Sequence, residues 1–375
     1  MTGTDALLDT LLDAAGLSEL LGRDVVARSA RVKPGAQVTL GLEDPAGGTA
    51  GWVRVLWPAL RPKAAKVAER AARRGQPLTE RPLGDLLLQS GTVGSDPALA
   101  NGVRALRPRR LRDLVDRPDA VLRYNPLRRV LVRDGATVVR LAAEPDALGH
   151  RLLTRLAGVG LPVPAPLDDG SVPDVSVRPF FGDADLLRTP SPEGMAWAGR
   201  TLADLHARGT RLLDEPELAA LHHRPATADP HRLAHDLARL DADLGRRTTE
   251  LADALGARPA PGGAPVLLHG DASADQVLVD TATGRRLLND FDRAAVGPAA
   301  LDLGSWLAVG DGGPLDAAFL AGYAEAGGAL PSASDRVTAR ATGLFSRVMA
   351  PLRDADPDWR AGIAARLDRL AEVLR

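Results

Sequence analysis

Val266-Leu-Leu-His-Gly-Asp-Ala-Ser-Ala-Asp-Gln-Val-Leu-Val-Asp280, followed closely by Leu287-Leu-Asn-Asp-Phe-Asp-Arg293, decides how this chain is read. The apolar run 266–268 predicts a short buried strand. Gly270 lets the backbone turn and leaves Asp271 at the carboxyl end of that strand. Gln276 precedes a second apolar run, 277–279. Thr283-Gly284 makes a turn, and a third run at Leu287–Leu288 delivers Asp290. Two carboxylates and one amide oxygen can therefore meet at the edge of a small sheet. Such a set suits phosphoryl transfer, in which one Asp orients a hydroxyl while an Asp and an amide hold magnesium. The plainer reading of Asp271 is a carboxylate that caps the turn after it.

The ordered set His269-Gly270-Asp271, Gln276, Asp290-Phe291-Asp292, Gly297 and Asp302-Leu303 resembles the aminoglycoside phosphotransferase family. A lone His-Gly-Asp triplet is weak, because Gly and Asp are common turn residues. The spacing makes the set specific, with Asp290 nineteen residues after Asp271 and Asp302 twelve further on. Leu202-Ala-Asp-Leu-His206 also matches a helix of the family. Where the family usually has Asn, this chain has Gln276, as do the actinobacterial maltokinase and glucosamine kinase types. The resemblance covers roughly residues 120 to 350.

The resemblance implies an α+β, two-lobed protein-kinase-like fold behind an additional N-terminal cap domain. The expected division is cap 1–115, nucleotide lobe and hinge 116–182, and helical lobe with the catalytic and metal loops 183–375. It implies Asp271 as catalytic base, Gln276 and Asp290 as Mg2+ ligands, and His269 and Asp302 as supports of the loop. Asp292 is left open between a second metal, substrate binding and a surface ion pair with Arg293. Arg178-Pro-Phe-Phe-Gly182 is expected as the hinge, with main-chain groups of Arg178–Phe181 at the adenine edge and Phe180 or Phe181 as one wall. Core packing is the alternative for both rings. ATP or GTP is the implied co-substrate, and a small-molecule hydroxyl, on a sugar, amino sugar or aminoglycoside-like compound, is the implied acceptor.

The nucleotide lobe departs from the kinase pattern. A strand lysine paired with a helix glutamate ordinarily grips the α- and β-phosphates. Lysine occurs here only at Lys33, Lys63 and Lys66, and the matching strand position is Arg140. The following helix has no glutamate, so only Glu144, Asp146 or His150 can approach Arg140. Tyr124-Asn-Pro-Leu-Arg128 stands where a Gly-rich phosphate loop would be. Arginine forks onto phosphate but is not a geometric equivalent of lysine. These departures keep a second reading open, a degenerate kinase-like protein that binds nucleotide or ligand as a regulatory module.

Upstream, two apolar runs flank Lys33-Pro-Gly35 as a hairpin, and Trp52-Val-Arg-Val-Leu-Trp57 makes a third strand. Arg61–Arg74 reads as a basic helix, and Pro77–Pro118 as connecting structure. Residues 30–40 align without gaps with residues 122–132, which suggests an internal repeat or a chance likeness of two hairpins. Ala228–Leu255 is expected as a single helical stretch. Asp183, Asp185, Asp311, Asp354 and Asp356 are candidates for receiving a cationic amine, or ordinary surface charges. His231 and His235, four apart, lack a third metal ligand nearby.

A formal net charge of −1 gives no global field favouring nucleic acid or membrane, and neither is expected as a partner. No apolar run approaches the roughly 20 residues that span a bilayer. Without cysteines the chain has no disulfides, and with no leader evident at its start the expected location is cytoplasmic.

Overall fold

The computed structural model describes residues 4–106, 110–168 and 170–375. Alternating apolar residues build a first sheet from β1 (Val26–Lys33), β2 (Gln37–Glu43), β3 (Thr49–Leu56), β4 (Leu78–Leu83) and β5 (Leu86–Gly91). The strand order is β1-β2-β3-β5-β4, and every pairing is antiparallel. Two of these strands lie inside the segment expected to be only connecting. Gly84 takes φ +56° at a tight turn, and Leu86 and Leu88 face inward from β5. Pro82 is accommodated because β4 is an edge strand, where a missing N–H costs no ladder bond.

A second sheet has the order β6-β7-β8-β9, from β6 (Val121–Asn125), β7 (Arg129–Asp134), β8 (Thr137–Ala142) and β9 (Val175–Pro179). The helix Ala147–Gly158 lies between β8 and β9, and Asp146 caps it by accepting from the Gly149 N–H at 3.1 Å. The two sheets share one topology: a three-stranded meander, a helix, then a strand returning beside the third. The first sheet adds only β4. The likeness extends to register, since Arg54 lies opposite Thr39 and Arg140 opposite Leu131, the residue aligned with Thr39. Gly35 and Leu127, also aligned, both take φ above +60°. The ungapped likeness of the two hairpins is thus matched by the path of the chain. Arg54 is buried and donates to Gln89 Oε1, so the first sheet keeps this arginine sealed from ligands.

After β10 (Ala184–Asp185) the chain is mainly helical. Ser191 caps the helix Pro192–Asp204, which continues as a wider turn, 205–209, that carries His206. The long stretch after Ala228 is two helices, Pro230–Ala238 and Ala242–Gly256. They are divided where Asp241 turns out to accept from the Leu244 N–H. The helices Ala300–Val309, Pro314–Glu325, Ala333–Arg347 and Trp359–Leu374, with the single turn Ala350–Arg353, follow in this lobe. Small pieces of sheet sit at the lobe boundary. β11 (Pro265–Leu268) pairs with β14 (Ala295–Pro298), and β12 (Val277–Val279) lies between β10 and β13 (Arg286–Leu288).

The first sheet does not rest on the second sheet alone. Trp52, Val93 and Leu99 share a core with Tyr124, Val130 and Leu141 of the second sheet. Leu8, Leu40 and Val55 share another with Leu237, Phe345, Trp359 and Ile363 of the helical lobe. Arg239 reaches the Pro34 carbonyl and Arg360 the Asp9 carboxylate, both at 2.6 Å. The N-terminal region therefore clamps the other two.

Candidate active site

Strand β11 ends at His269, and the next two residues are fixed by a single buried carboxylate. Asp302, 1 % exposed, accepts from the His269 N–H at 2.7 Å and the Gly270 N–H at 2.8 Å. It also pairs with His206 Nε2 at 3.1 Å, while His206 Nδ1 meets the Tyr323 hydroxyl at 2.8 Å. Burial alone would push Asp302 up, but the hydrogen bond and charge of His206, with the Gly270 N–H, hold it below the usual carboxylate range. Tyr323 is pushed up to about 12 by burial and by Asp302.

Gly270 has two reasons to be glycine. Its φ is +80°, and a Cβ there would lie 2.0 Å from the Arg293 carbonyl oxygen. That close approach brings the Asp271 loop against the Asp290–Arg293 turn. His269 completes the junction: its Nε2 donates to the Asn289 carbonyl at 2.7 Å, and its Nδ1 accepts from the Asp271 N–H at 3.3 Å.

Asp271 Oδ1 lies 3.2 Å from Arg347 and Oδ2 lies 3.5 Å from Arg293. Neither pair is a tight fork, and the carboxylate is about a third exposed. Arg347 is held below the usual arginine range by burial, although Asp271 opposes that.

Gln276 ends the short turn just before β12, and its carbonyl accepts from the Asn289 N–H at 2.8 Å. The pairing of Val277 with Leu288 places Gln276 and Asp290 at the same end of this hairpin. Asp290 takes the left-handed conformation, φ 63° and ψ 62°, which Asp tolerates better than most residues. Its nearest charged partner is Arg129, at 3.7 Å. The Gln276 side-chain nitrogen donates to Asp275, and among the described residues its Oε1 has no protein partner. An amide oxygen and a loosely paired carboxylate are hard, oxygen-only donors, so this set fits Mg2+.

On the opposite wall, Arg140 is 2.8 Å from Asp146 and 3.3 Å from Asp292. Of the three candidates for meeting Arg140, Asp146 does so, and from the cap of the helix where a kinase would carry its glutamate. Asp292 pairs with Arg129 as well as Arg140, and not with its neighbour Arg293, which turns to Asp271. A chain of charges thus runs from Asp146 through Arg140, Asp292 and Arg129 to Asp290. Arg178, on β9, is lowered to about 10, first by burial and then by Arg140, and its Nε has no hydrogen-bond partner. Phe180 and Phe181 are half-buried just after β9, outside this charge network. The Arg133 guanidinium lies 3.8 Å from the Phe180 ring centre and Arg285 lies 5.5 Å from that of Phe181. The Phe180 N–H is used by the Ala136 carbonyl, tying this segment to the turn between β7 and β8.

The turn that replaces a Gly-rich loop is held from the N-terminal region. Asp96, fully buried, accepts from the Tyr124 hydroxyl and the Leu127 N–H, both at 2.7 Å. Sequence reasoning did not find Asp96, Arg129, Arg224, Arg347 or Arg353 at this site. Arg347 carried no distinct signal, because it shares a stripe of its helix with Arg336 and Arg340 as well as Gly343.

No curated protein matched the chain by sequence. The chain is similar to the solved structure of a choline/ethanolamine kinase family protein from Mesorhizobium loti. They are 19% identical, with 74% of this chain and 95% of that chain covered and a TM-score of 0.47. An aminoglycoside-3'-phosphotransferase of type VIII is 21% identical, covering 65% and 97%, with a TM-score of 0.45. A macrolide 2'-phosphotransferase from Brachybacterium faecium is 23% identical, covering 66% and 87%, with a TM-score of 0.41. The model of the phosphotransferase enzyme family matches residues 119–340, more than half of the chain and all of the Asp271, Gln276 and Asp290 region. This chain, with its two-lobed kinase-like α+β fold, belongs to the phosphotransferase enzyme family.

Proposed function

We propose that the chain is a small-molecule kinase that moves the γ-phosphoryl group of a Mg-nucleotide, ATP or GTP, to a hydroxyl of a sugar-like acceptor. The observation that carries this reading is the placement of Asp271. It follows a glycine turn locked by Asp302 and stands beside the hairpin end that bears Gln276 and Asp290. Asp271 orients the acceptor hydroxyl and takes its proton as the acceptor oxygen bonds to the γ-phosphorus. The bond from that phosphorus to the bridging oxygen breaks, and nucleoside diphosphate leaves. Arg293 and Arg347 lie where they can stabilise charge on the moving phosphoryl group. Gln276 and Asp290 would hold Mg2+, which when bound neutralises charge on the phosphates. Arg140 takes the place of the strand lysine, positioned by Asp146 and Asp292. The Phe180–Phe181 hinge would face adenine or guanine.

Among the described residues no helix is long and apolar enough to cross a membrane. We place the protein in the cytoplasm, where nucleotide is supplied, acting on small molecules rather than nucleic acid. The pairing of Asp292 with Arg129 and the arginine at the lysine position favour a second reading, a nucleotide-binding module without turnover. Incubation with Mg-ATP or Mg-GTP and panels of sugars, amino sugars and aminoglycosides, read by phosphate mass gain, separates the two. A product from any panel supports the kinase. Nucleotide binding without product from any acceptor class supports the module.

A further inference from the structure

A cavity of about 340 Å³ opens beside Gly270 and the Asp290–Arg293 turn. That volume is at the small end for ligand sites, the size for a compound like a single hexose. Its wall carries Arg224, Arg293 and Arg353, with small neutral residues such as Ser305, Thr342 and Ser346 between them. Two carboxylates also line it, and both are committed. Asp302 is spent on His206 and two main-chain N–H groups, and Asp292 on Arg129 and Arg140.

The arginines are not committed in the same way. Arg224 reaches only the carbonyls of Asp292 and Ala294, at 3.3 and 3.4 Å. Arg353 reaches only the Ser346 carbonyl, at 3.5 Å. Among the described residues neither has a carboxylate within ion-pair distance. Arg293 has a single long contact, to Asp271. Arg353 is held below the usual arginine range by partial burial first and by Arg293 second, against Asp271 and Asp354, which raise it. Of the acidic residues that could receive an amine, Asp183 binds Thr281, Asp185 binds Arg188, and Asp356 accepts from the Asp358 N–H. Asp311 lines a different groove, and Asp354, although next to Arg353, is not among the residues that line this cavity.

We propose that the acceptor is a hydroxylated small molecule bearing a carboxylate or phosphate, held by Arg224 and Arg353 while its hydroxyl meets Asp271. Guanidinium forks match both anions in geometry and charge, whereas an ammonium group in this pocket would face three positive charges with no free carboxylate. The inference rests on the kinase reading and narrows its substrate to a class unlike amino sugars and aminoglycosides.

The test is a calorimetric titration of the full chain with Mg2+ and a non-hydrolysable ATP analogue present, so that the phosphate site is filled. The probes are glucuronate, glucose 6-phosphate, glucose and glucosamine. At least one anionic probe is expected to bind ten-fold or more tighter than glucose, and glucosamine no tighter than glucose. Arg224→Gln and Arg353→Gln should each weaken the preferred anion about ten-fold, the worth of one hydrogen bond to a charged group. A thermal melt of each variant distinguishes lost binding from lost fold. Preference for carboxylate over phosphate identifies which anion the site takes. Glucosamine binding as tightly as the anions, anions no tighter than glucose, or folded variants with undiminished anion affinity would overturn the inference. The ranking is read without turnover. A protein that ranks the anions first but never phosphorylates any acceptor refutes the kinase alone, and one that phosphorylates glucose while ignoring anions refutes this inference alone.

Discussion

Asp302→Asn is the sharpest test of how the site is built, because it changes almost no volume. One carboxylate oxygen accepts from Gly270, and the other from His269 and His206. An amide can keep only one acceptor, so at least one buried N–H faces another donor. A buried unsatisfied donor costs about 1–3 kcal/mol, and the remaining bonds lose their charge assistance. The expected loss is about 2–4 kcal/mol, a large part of the ~5–15 kcal/mol that typically separates folded from unfolded chains. Urea unfolding followed by tryptophan fluorescence reads the loss. Turnover should fall about 10²-fold as well, because Asp271 is the next residue after the freed Gly270 and a shift of about 1 Å is that costly. The sign of the pH dependence follows from the depressed folded-state value of Asp302. Its stabilisation is present above the unfolded value, about 3.9, and is lost as pH falls through the folded one. The gap between parent and variant should therefore be full at neutral pH and shrink below about pH 4. An unfolding midpoint and a turnover equal to the parent's would refute this account of the loop.

Gly270→Ala should cost about 2–4 kcal/mol and most of the activity, since its Cβ would press on the Arg293 carbonyl and its φ is disfavoured for alanine; a stable, active variant would show that the two loops separate freely. Arg140→Ala should weaken nucleotide binding about ten-fold by titration, whereas unchanged affinity would leave Arg140 only a structural partner of Asp146. Asp290→Asn keeps a residue tolerant of the left-handed conformation, so the fold should persist while Mg2+-dependent nucleotide affinity falls. Trp359→Ala, in the core shared by the N-terminal sheet and the helical lobe, should cost about 3–5 kcal/mol and expose the N-terminal region to limited proteolysis.

The geometry of the stretch 266–293 was legible because its determinants are local. A glycine at the end of an apolar run, two short runs and a turn put Asp271, Gln276 and Asp290 near one another without any long-range contact being known. The arginines around them were not. Arg129 comes from the second sheet and Arg347 from a helix near the C-terminus, and in a chain whose basic residues are almost all arginine neither stands out. Sequence adjacency misdirects at Asp292, because consecutive side chains on the short turn 291–293 point apart and Arg293 faces Asp271 instead. The hairpin β4–β5 was hidden for a different reason. Its apolar run, Leu86–Leu88, is short, and its proline is tolerated only because β4 is an edge, which is a property of the finished sheet. The division after Asp241 was available in principle as an N-cap, but a continuous leucine stripe masked it.

Asp271→Asn tests the central claim most directly. The amide keeps the size and most of the hydrogen bonding of the carboxylate but cannot draw the acceptor proton. With an acceptor identified from the sugar, amino-sugar or anionic panels, phosphoryl transfer by the variant should fall about 10²–10⁴-fold, the usual worth of a positioned acid or base. Mg-nucleotide affinity, measured by titration on the same preparation, should stay within a few-fold of the parent's, since Gln276, Asp290 and Arg140 are untouched. A variant that transfers phosphate at the parent's rate would mean that another group is the base and that Asp271 only caps its turn.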